Sequence, residues 1–276
     1  MQNSAVKYIK IKKVTSENII DANDHLAVEE PLEIQLRYGS KDNQIKKSIS
    51  VTMRTPGNDH ELAAGFLFTE GIIQDYSQVQ KIETDPFDEN KVIVTLAENE
   101  IPQLQSSERN FYTTSSCGVC GKSSIDSIKT VSLFQDGKDV ISLSASLFFS
   151  LQNVLKNQQE IFQHTGGLHA SALFDLSGSF VTLREDVGRH NALDKLIGAS
   201  FLLNTLPLQN SILLLSGRAS FELIQKASMA GIKIVAAIGA PSSLASQLAE
   251  EFDMTLIGFL GQEKFNIYSG SQRITH

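Results

Sequence analysis

The sequence predicts an α/β protein whose first half is rich in β-strands, and three observations support this class. Segments of the first half alternate apolar and polar residues, whereas segments of the second half alternate helical periodicity with short apolar runs. The later strands are nearly continuous Ile, Leu and Val, as expected when helices cover both faces of a sheet. We therefore expect a β-rich domain over residues 1–142 and an α/β sandwich over residues 143–276.

In the first half, the alternating segments predict the strands KYIKIKKV, EPLEIQLRYG, QIKKSISVTMRT, VQKIETDP and NKVIVTLAE. Between the third and fourth lies a predicted helix, TPGNDHELAAGFLFTEGII. Asn58 or Asp59 is placed to cap this helix, Glu61 gives a capping-box-like first turn, and Gly71 suits the C-terminal end.

The segment SERNFYTTSSCGVCGKSSID interrupts this pattern, because it is polar, rich in Gly and Ser, and without a consistent period. We predict a loop over about residues 106–128. It contains both cysteines of the chain, Cys117 and Cys120, two residues apart.

The second half begins with a predicted helix, SASLFFSLQNVLKNQQEIF, whose apolar face includes Leu147, Leu151, Val154, Leu155 and Phe162. A hairpin follows, with a two-residue turn predicted at Ser177-Gly178. The chain then alternates helix and strand through HNALDKLIGASFLL, SILLLS, FELIQKASMA, IKIVAAIG, SLASQLAEEF and MTLIGFL.

The charge and hydrophobic composition of the sequence argue against some classes of function. The net charge of −7 argues against nucleic acid as the main partner, because proteins that bind phosphate backbones usually carry a basic field. No apolar run reaches the roughly 20 residues of a spanning helix, and the N-terminus lacks the apolar core of a signal peptide. We therefore expect a cytoplasmic protein, in which a C-x-x-C pair is more often catalytic or metal-binding than a structural disulfide.

Three loops are predicted to meet at one edge of the second-half sheet, because parallel strands place their carboxyl ends on one side. They are SGRAS at 216–220, GAPSS at 239–243 and GFLGQEK at 258–264. The first two lead into helix N-termini, whose free N–H groups suit phosphate, and Arg218 adds a guanidinium. The segment LREDVGRHN is expected to bring further polar groups to the same region: Arg184, Asp186, Arg189, His190 and Asn191.

Neither G-x-G-x-x-G nor a Walker A sequence is present, so this edge does not predict ordinary NAD or ATP binding. The candidate ligand contacts on it are Ser216, Gly217, Arg218, Arg189 and His190. Residues of this region also have a structural interpretation: Gly217 and Gly239 as glycines that end strands, Ser220 and Ser242 as helix caps, and Arg184 with Asp186 as a surface pair.

The two thiols alone leave several chemistries open. A persulfide carrier needs an attacking thiolate, which Lys122 and nearby backbone N–H groups would favour. A dithiol oxidoreductase and a zinc site completed by His164 and His169 are alternatives. For zinc, the gap of more than forty residues exceeds that of a finger, and His169 is otherwise interpreted as a hydrogen-bonded histidine or a pocket wall.

Four separated motifs, SSCGVCGK, TGGLHASAL, REDVGRHNALDKLIG and SGRASFELIQKASMAGI, together resemble the FdhD family of formate dehydrogenase accessory sulfurtransferases. The resemblance implies a sulfur carrier that takes persulfide sulfur from an L-cysteine desulfurase. It further implies delivery to the molybdenum (or tungsten) bis(guanine dinucleotide) cofactor of formate dehydrogenase, with Cys117 as carrier, Cys120 as second thiol, no structural metal and a homodimer.

The resemblance also implies a C-terminal domain similar to cytidine deaminases. Where those enzymes carry H-x-E and P-C-x-x-C, this chain has HNA at 190–192 and SGRAS, so zinc hydrolysis is not expected. The family's cofactor-binding stretch corresponds to Phe259, Leu260, Gly261, Gln262, Glu263 and Lys264. Gly261 stands where family members often carry a basic residue, and Lys264 is the candidate to supply that charge.

Overall fold

The computed structural model describes residues 5–104, 134 and 141–276. Its first half contains a two-stranded hairpin, β1 (Val6–Val14) and β2 (Ile19–Ala27), and a four-stranded sheet of order β4-β3-β6-β5. The strands of that sheet are β3 (Glu30–Ser40), β4 (Asn43–Arg54), β5 (Val79–Asp85) and β6 (Asp88–Leu96), and helix α1 (Asp59–Thr69) packs against its apolar face. The predicted strands are therefore confirmed.

Strand β2 was not predicted. Its sequence, IIDANDHLA, carries Asp and Asn in the middle, which are residues depleted from strands. Within the described residues it pairs only with β1 and is largely exposed, so Asp21 and Asp24 remain solvated and the usual cost of a polar strand does not arise.

The predicted helix α1 forms, but the N-cap prediction is wrong. Asn58 occupies the cap position with φ 58°, and its side chain makes no capping hydrogen bond. Glu61 does not close a capping box, because its carboxylate binds the guanidinium of Arg184 in the second half. The C-terminal prediction is confirmed: Gly71 has φ +72° and its N–H donates to the carbonyl of Phe68.

The second half contains a six-stranded sheet of order β13-β12-β11-β10-β8-β9, in which β10, β11 and β12 are parallel. Its strands are β8 (His169–Asp175), β9 (Phe180–Asp186), β10 (Ser211–Leu215), β11 (Ile234–Ala237), β12 (Thr255–Gly258) and β13 (Asn266–Ser269). The helices are α2 (Ala145–Gln158), α3 (Glu160–Thr165), α4 (Arg189–Leu202), α5 (Phe221–Met229) and α6 (Ser243–Glu251). Two short strands, β7 (Leu143–Ser144) and β14 (Ile274–Thr275), pair with each other.

Helices cover both faces of this sheet, which confirms a mixed α/β architecture. On one face, Ile212 and Leu214 of β10 belong to a buried cluster with α2. On the other face, Leu213 and Leu215 belong to a second cluster with α4, α5 and α6. Because neighbouring residues of a strand point to opposite faces, a strand buried on both sides is apolar throughout.

Two local expectations for the second half need correction. The predicted single helix breaks at Gln159, so Phe162 lies on a separate helix, α3. The hairpin loop spans residues 176–179 rather than two residues, because the carboxylate of Asp175 accepts hydrogen bonds from the N–H groups of Ser177 and Ser179. Strand β13 at the sheet edge was not predicted.

The two halves share one continuous buried cluster, and α1 packs on α4 at its centre. A Cβ built on Gly65 would overlap the carbonyl oxygen of Asp194, and one built on Gly198 would overlap that of Glu61. Two glycines therefore allow the helix backbones to touch. The domain boundary near residue 142 remains a prediction. Among the described residues, no helix is both long and apolar enough to cross a membrane.

Candidate functional site

The three predicted edge loops lie side by side at the carboxyl ends of β10, β11 and β12. The N–H of Gly239 donates to the carbonyl of Gly217 at 2.9 Å, and the N–H of Phe259 donates to the carbonyl of Gly239 at 3.1 Å. The backbone hydrogen bonds between neighbouring strands thus continue into the loops and fix the distance from one loop to the next. The predicted convergence of these segments is what the structure shows.

The first loop contributes one hydroxyl, one glycine and one cation. Ser216 Oγ accepts a hydrogen bond from the N–H of Ala170 at 2.8 Å. Gly217 leaves room for an imidazole, because a Cβ there would lie 3.3 Å from Nδ1 of His169. Arg218 is exposed, and its Cγ would lie 2.9 Å from a Cβ on Gly239, so the absence of a side chain at Gly239 leaves room for Arg218 beside that loop.

Arg189 and His190 begin α4 at the same edge but have different surroundings. Arg189 is partly buried beside His169, and its charge contributes to lowering the pKa of that imidazole, after burial as the larger cause. His190 is 6% exposed, and its Nε2 lies 3.4 Å from Oε2 of Glu222 and 3.5 Å from Oγ of Ser220. Its imidazole therefore faces the start of α5.

The stretch 259–264 divides into exposed and buried parts. Phe259 is 52% exposed, whereas the side chain of Leu260 lies in the core beneath the edge. The N–H of Gly261 donates to the carbonyl of Lys264 at 3.0 Å, which closes a tight turn. Gln262 donates to Asn153 Oδ1 on α2 at 2.8 Å, so this loop reaches from the sheet edge to that helix. The charged groups of Glu263 and Lys264 are exposed.

A cavity of about 440 Å³ opens beside this edge, between α2, α3 and the sheet. Its lining residues are Gln152, Lys156, Gln159, Phe162, Gly166, Gly167, Leu168, His169, Ser216 and Ile238. Of the predicted contacts only Ser216 is among them, and His169 is confirmed as a pocket wall. The size falls in the range of sites for small ligands.

Three polar residues predicted near this edge instead bind the first half of the protein. Asp186 is fully buried, forms a 2.7 Å ion pair with Lys195, and accepts the N–H of Thr55 at 3.1 Å. Burial, as the largest influence, raises the pKa of Asp186.

Asn191 donates to the carbonyl of Met53 at 2.7 Å, and Arg184 pairs with Glu61. The expectation that Arg184 and Asp186 form a surface pair is therefore wrong. The side chains of Arg184, Asp186 and Asn191 join the two halves of the protein. From residue types alone, polar residues at such an internal interface look the same as polar residues at a ligand site.

The thiol pair lies outside the described residues, so the geometry of Cys117 and Cys120 is not part of the site as described. What the described part offers is an edge with exposed cations, a neighbouring cavity and an exposed aromatic ring. Such an arrangement suits an anionic ligand that also carries a flat ring.

The model of the FdhD/NarQ family matches residues 27–275 of this chain. The chain belongs to the FdhD/NarQ family. Relatives named sulfur carrier protein FdhD include that of Mycolicibacterium paratuberculosis, 46% identical over 96% of this chain and 97% of the relative. That of Mycobacterium tuberculosis is 42% identical over 98% and 99%, and that of Picrophilus torridus is 43% identical over 91% and 92%.

A solved structure shares the fold of this FdhD/NarQ member. It is the crystal structure of a candidate formate dehydrogenase accessory protein from Desulfotalea psychrophila, with a TM-score of 0.73 and 23% identity. The alignment covers 98% of this chain and all of the other.

The sequence does not predict that residues of α2 and α3 line a cavity. The sequence places Gln152, Lys156 and Gln159 on a predicted helix, and nothing in their spacing separates a pocket wall from a solvated face. The pair Gly166-Gly167, which lies between α3 and β8, is the available signal, since glycines can mark a close approach of the backbone to a ligand or another segment.

Proposed function

We propose that this chain is a sulfur carrier that transfers persulfide sulfur from an L-cysteine desulfurase to the molybdenum (or tungsten) bis(guanine dinucleotide) cofactor of formate dehydrogenase. The observation that carries the proposal is family membership together with both cysteines in one C-x-x-C motif. The desulfurase, the client enzyme, the cytoplasmic location and a homodimer form parts of the same proposal.

The first step loads sulfur on Cys117. Its thiolate attacks the terminal sulfur of the desulfurase persulfide, a new S–S bond forms on Cys117, and the desulfurase cysteine leaves as a thiolate. No oxidant or reductant is required, because one sulfur moves between two thiolates. Low pKa at the attacking thiol favours this step, and Lys122 is the neighbouring cation in the sequence.

The second step delivers the sulfur as sulfide. The Cys120 thiol attacks Cys117, a Cys117–Cys120 disulfide forms, and the released sulfide binds the metal while an oxygen ligand leaves as water. The two electrons come from the two cysteines, and the two protons of the persulfide and thiol are those of the water. Cellular thiols then reduce the disulfide.

The carboxyl edge of the second-half sheet is where we place the cofactor during this exchange. Arg218 supplies an exposed guanidinium for a phosphate, and the loops at 239–243 and 259–264 lie beside it. We further propose that the unit is cytidine-deaminase-like, with helices on both faces of the sheet and the cofactor in place of the deaminase zinc. HNA and SGRAS stand where deaminases carry their metal-site motifs.

Incubation with a cysteine desulfurase, cysteine and PLP, followed by intact-mass analysis without reductant, tests the loading step. We expect a gain of one sulfur atom, mapped to the Cys117 peptide, and no gain in Cys117→Ala. Absence of the gain on wild-type protein contradicts the proposal. A chaperone that only binds cofactor would activate formate dehydrogenase as well with Cys117→Ala, and a dithiol oxidoreductase would turn over a model disulfide.

A further inference from the structure

Helix α3 forms one wall of the cavity but is itself hardly buried. It contributes Phe162 to the lining, and Gly166 and Gly167, which follow it, continue that wall. Four of its six residues are exposed and the other two are only partly buried, whereas twelve of the fourteen residues of α4 are buried. Because a local opening costs less when fewer apolar contacts are broken, α3 can separate from the protein far more easily than α4.

Both ends of α3 have backbone conformations that interrupt a helix. Gln159, between α2 and α3, has φ −81° and ψ 75°, and Gly166 ends α3 in the left-handed region with φ 66°. A Cβ built on Gly166 would meet no atom within 4 Å, so packing does not restrict the chain at this glycine. The segment 160–165 is therefore a short helix with a hinge at each end.

Glu185 on β9 holds α3 against the sheet. Its Oε2 accepts a hydrogen bond from the N–H of Ile161 at 3.1 Å, and its Oε1 accepts one from the N–H of Phe162 at 2.9 Å. One carboxylate thus binds two N–H groups in the first turn of the helix, and its negative charge strengthens both bonds. Strand β2 also contacts α3, with the rings of His25 and His164 6.1 Å apart between centroids.

We propose that α3 is a lid on the cavity, which opens by turning about Gln159 and Gly166 and is held closed by Glu185. In the closed position the cavity wall residue Leu168 is only 4% exposed. Opening exposes Leu168 and admits a small ligand, and Lys156 on the same wall favours a negatively charged one. The motion is independent of sulfur transfer, because it concerns only access to the cavity.

A single thiol on the cavity wall measures the opening. Leu168→Cys is made in a chain that also carries Cys117→Ser and Cys120→Ser, and is treated with a methanethiosulfonate reagent that bears a sulfonate. Leu173→Cys in the same background is the matched control, because Leu173 is 2% exposed in the core and becomes accessible only when the chain unfolds. If α3 opens locally, Leu168→Cys should be labelled about a hundredfold faster than Leu173→Cys. Equal labelling rates would overturn the proposal.

The role of Glu185 is tested in the Leu168→Cys chain. Glu185→Gln keeps the size of the side chain but removes its charge, so we expect labelling to become about tenfold faster. Asp175→Asn is the control, because Asp175 also accepts two N–H groups, those of Ser177 and Ser179, but in the turn between β8 and β9. It should leave the labelling rate unchanged. Equal rates in the two variants would show that Glu185 does not hold the lid.

Hydrogen exchange of single amides distinguishes a turning helix from a melting one. The amides of Ile161 and Phe162 bind Glu185, whereas the amide of Gly166 donates to the carbonyl of Phe162 within the helix, at 2.7 Å. When α3 turns as a unit, the first two amides lose their partner and the third keeps it. We therefore expect Glu185→Gln to lower the protection of Ile161 and Phe162 about tenfold and that of Gly166 much less. An equal loss of protection at all three amides would mean that α3 unfolds, and the lid would be wrong.

Discussion

Nζ of Lys226 on α5 lies 3.0 Å from Oδ2 of Asp194 on α4, and both side chains are about 2% exposed. The ammonium also contacts Oγ1 of Thr69 at 2.9 Å and Oε1 of Glu70 at 3.3 Å, so it joins the C-terminal helices to the end of α1. Burial is the largest single influence on the pKa of each group, and it raises the pKa of Asp194. At Lys226 burial alone lowers the pKa, but the surrounding carboxylates together outweigh it, so the pKa of Lys226 is raised.

Removing the cation from this pair should destabilise the whole chain. We predict that Lys226→Met lowers the free energy of unfolding by about 3–5 kcal/mol, because Asp194 is left buried without its partner. Urea denaturation measures the change. Lys12→Met is the control, since Lys12 and Asp21 form an exposed pair and such pairs contribute about 0–1 kcal/mol. Equal effects of the two substitutions would refute the role assigned to burial.

The contact of α1 with α4 should not tolerate a methyl group. A Cβ on Gly198 overlaps the carbonyl of Glu61, so we predict that Gly198→Ala forces the helices apart and lowers unfolding free energy by about 1–3 kcal/mol or more. Gly167→Ala is matched to it, because a Cβ there would make only ordinary contacts, with Ala27 Cβ at 3.7 Å and the carbonyl oxygen of Thr165 at 3.9 Å. The comparison uses thermal melting, and a Gly198→Ala variant as stable as Gly167→Ala is the contrary result.

The lowered pKa of His169 predicts a pH dependence of stability. Its ordinary pKa is 6.5, and burial, followed by the charge of Arg189, disfavours protonation in the folded chain. The unfolded chain therefore binds more protons just below pH 6.5, so stability is lost as the pH falls through this window. His169→Gln should lose less unfolding free energy between about pH 7.5 and about pH 5.5 than wild type.

The control for that experiment is His276→Gln, which changes an exposed histidine at the C-terminus. It should retain the wild-type pH dependence. A His169→Gln variant with the full wild-type loss would show that His169 does not contribute.

Arg218 should matter for ligand binding and little for folding. Its guanidinium is exposed, so we predict that Arg218→Ala leaves the melting temperature nearly unchanged. Loss of one charge-assisted hydrogen bond should weaken GDP binding about ten- to a hundredfold, measured by calorimetry. Arg37→Ala, which removes a partly buried cation on the sheet of the first half, should bind GDP as wild type does. Equal affinities of the two variants would exclude Arg218 as a phosphate contact.

Much of the fold was predictable because apolar periodicity reports burial. The α4 residues Leu193, Leu196, Ile197 and Phe201 are all in the core as predicted. Local polar choices were not predictable in the same way. Asn58 occupies the predicted cap position without capping, because its backbone takes a left-handed turn, and a sequence does not reveal φ.

The site was predictable in outline but not in detail. Parallel strand order follows from alternating helices and strands, so the meeting of the three edge loops could be inferred from topology. The burial of Asp186 and Asn191 depends on where the first half docks, which no local pattern encodes. The break at Gln159, which creates the cavity wall, likewise depends on tertiary contacts: Glu185 accepts the N–H groups of Ile161 and Phe162 and so holds the start of α3.

The most direct test of the central claim follows the sulfur atom itself. Wild-type protein is loaded with labelled sulfur from cysteine and a desulfurase, then mixed with the guanine-dinucleotide cofactor and apo formate dehydrogenase. We predict that the label leaves Cys117 and is recovered in the cofactor of active enzyme, and that Cys117→Ala gives neither label nor activity. Active enzyme formed with label still on Cys117, or with Cys117→Ala, would contradict sulfur transfer by this chain.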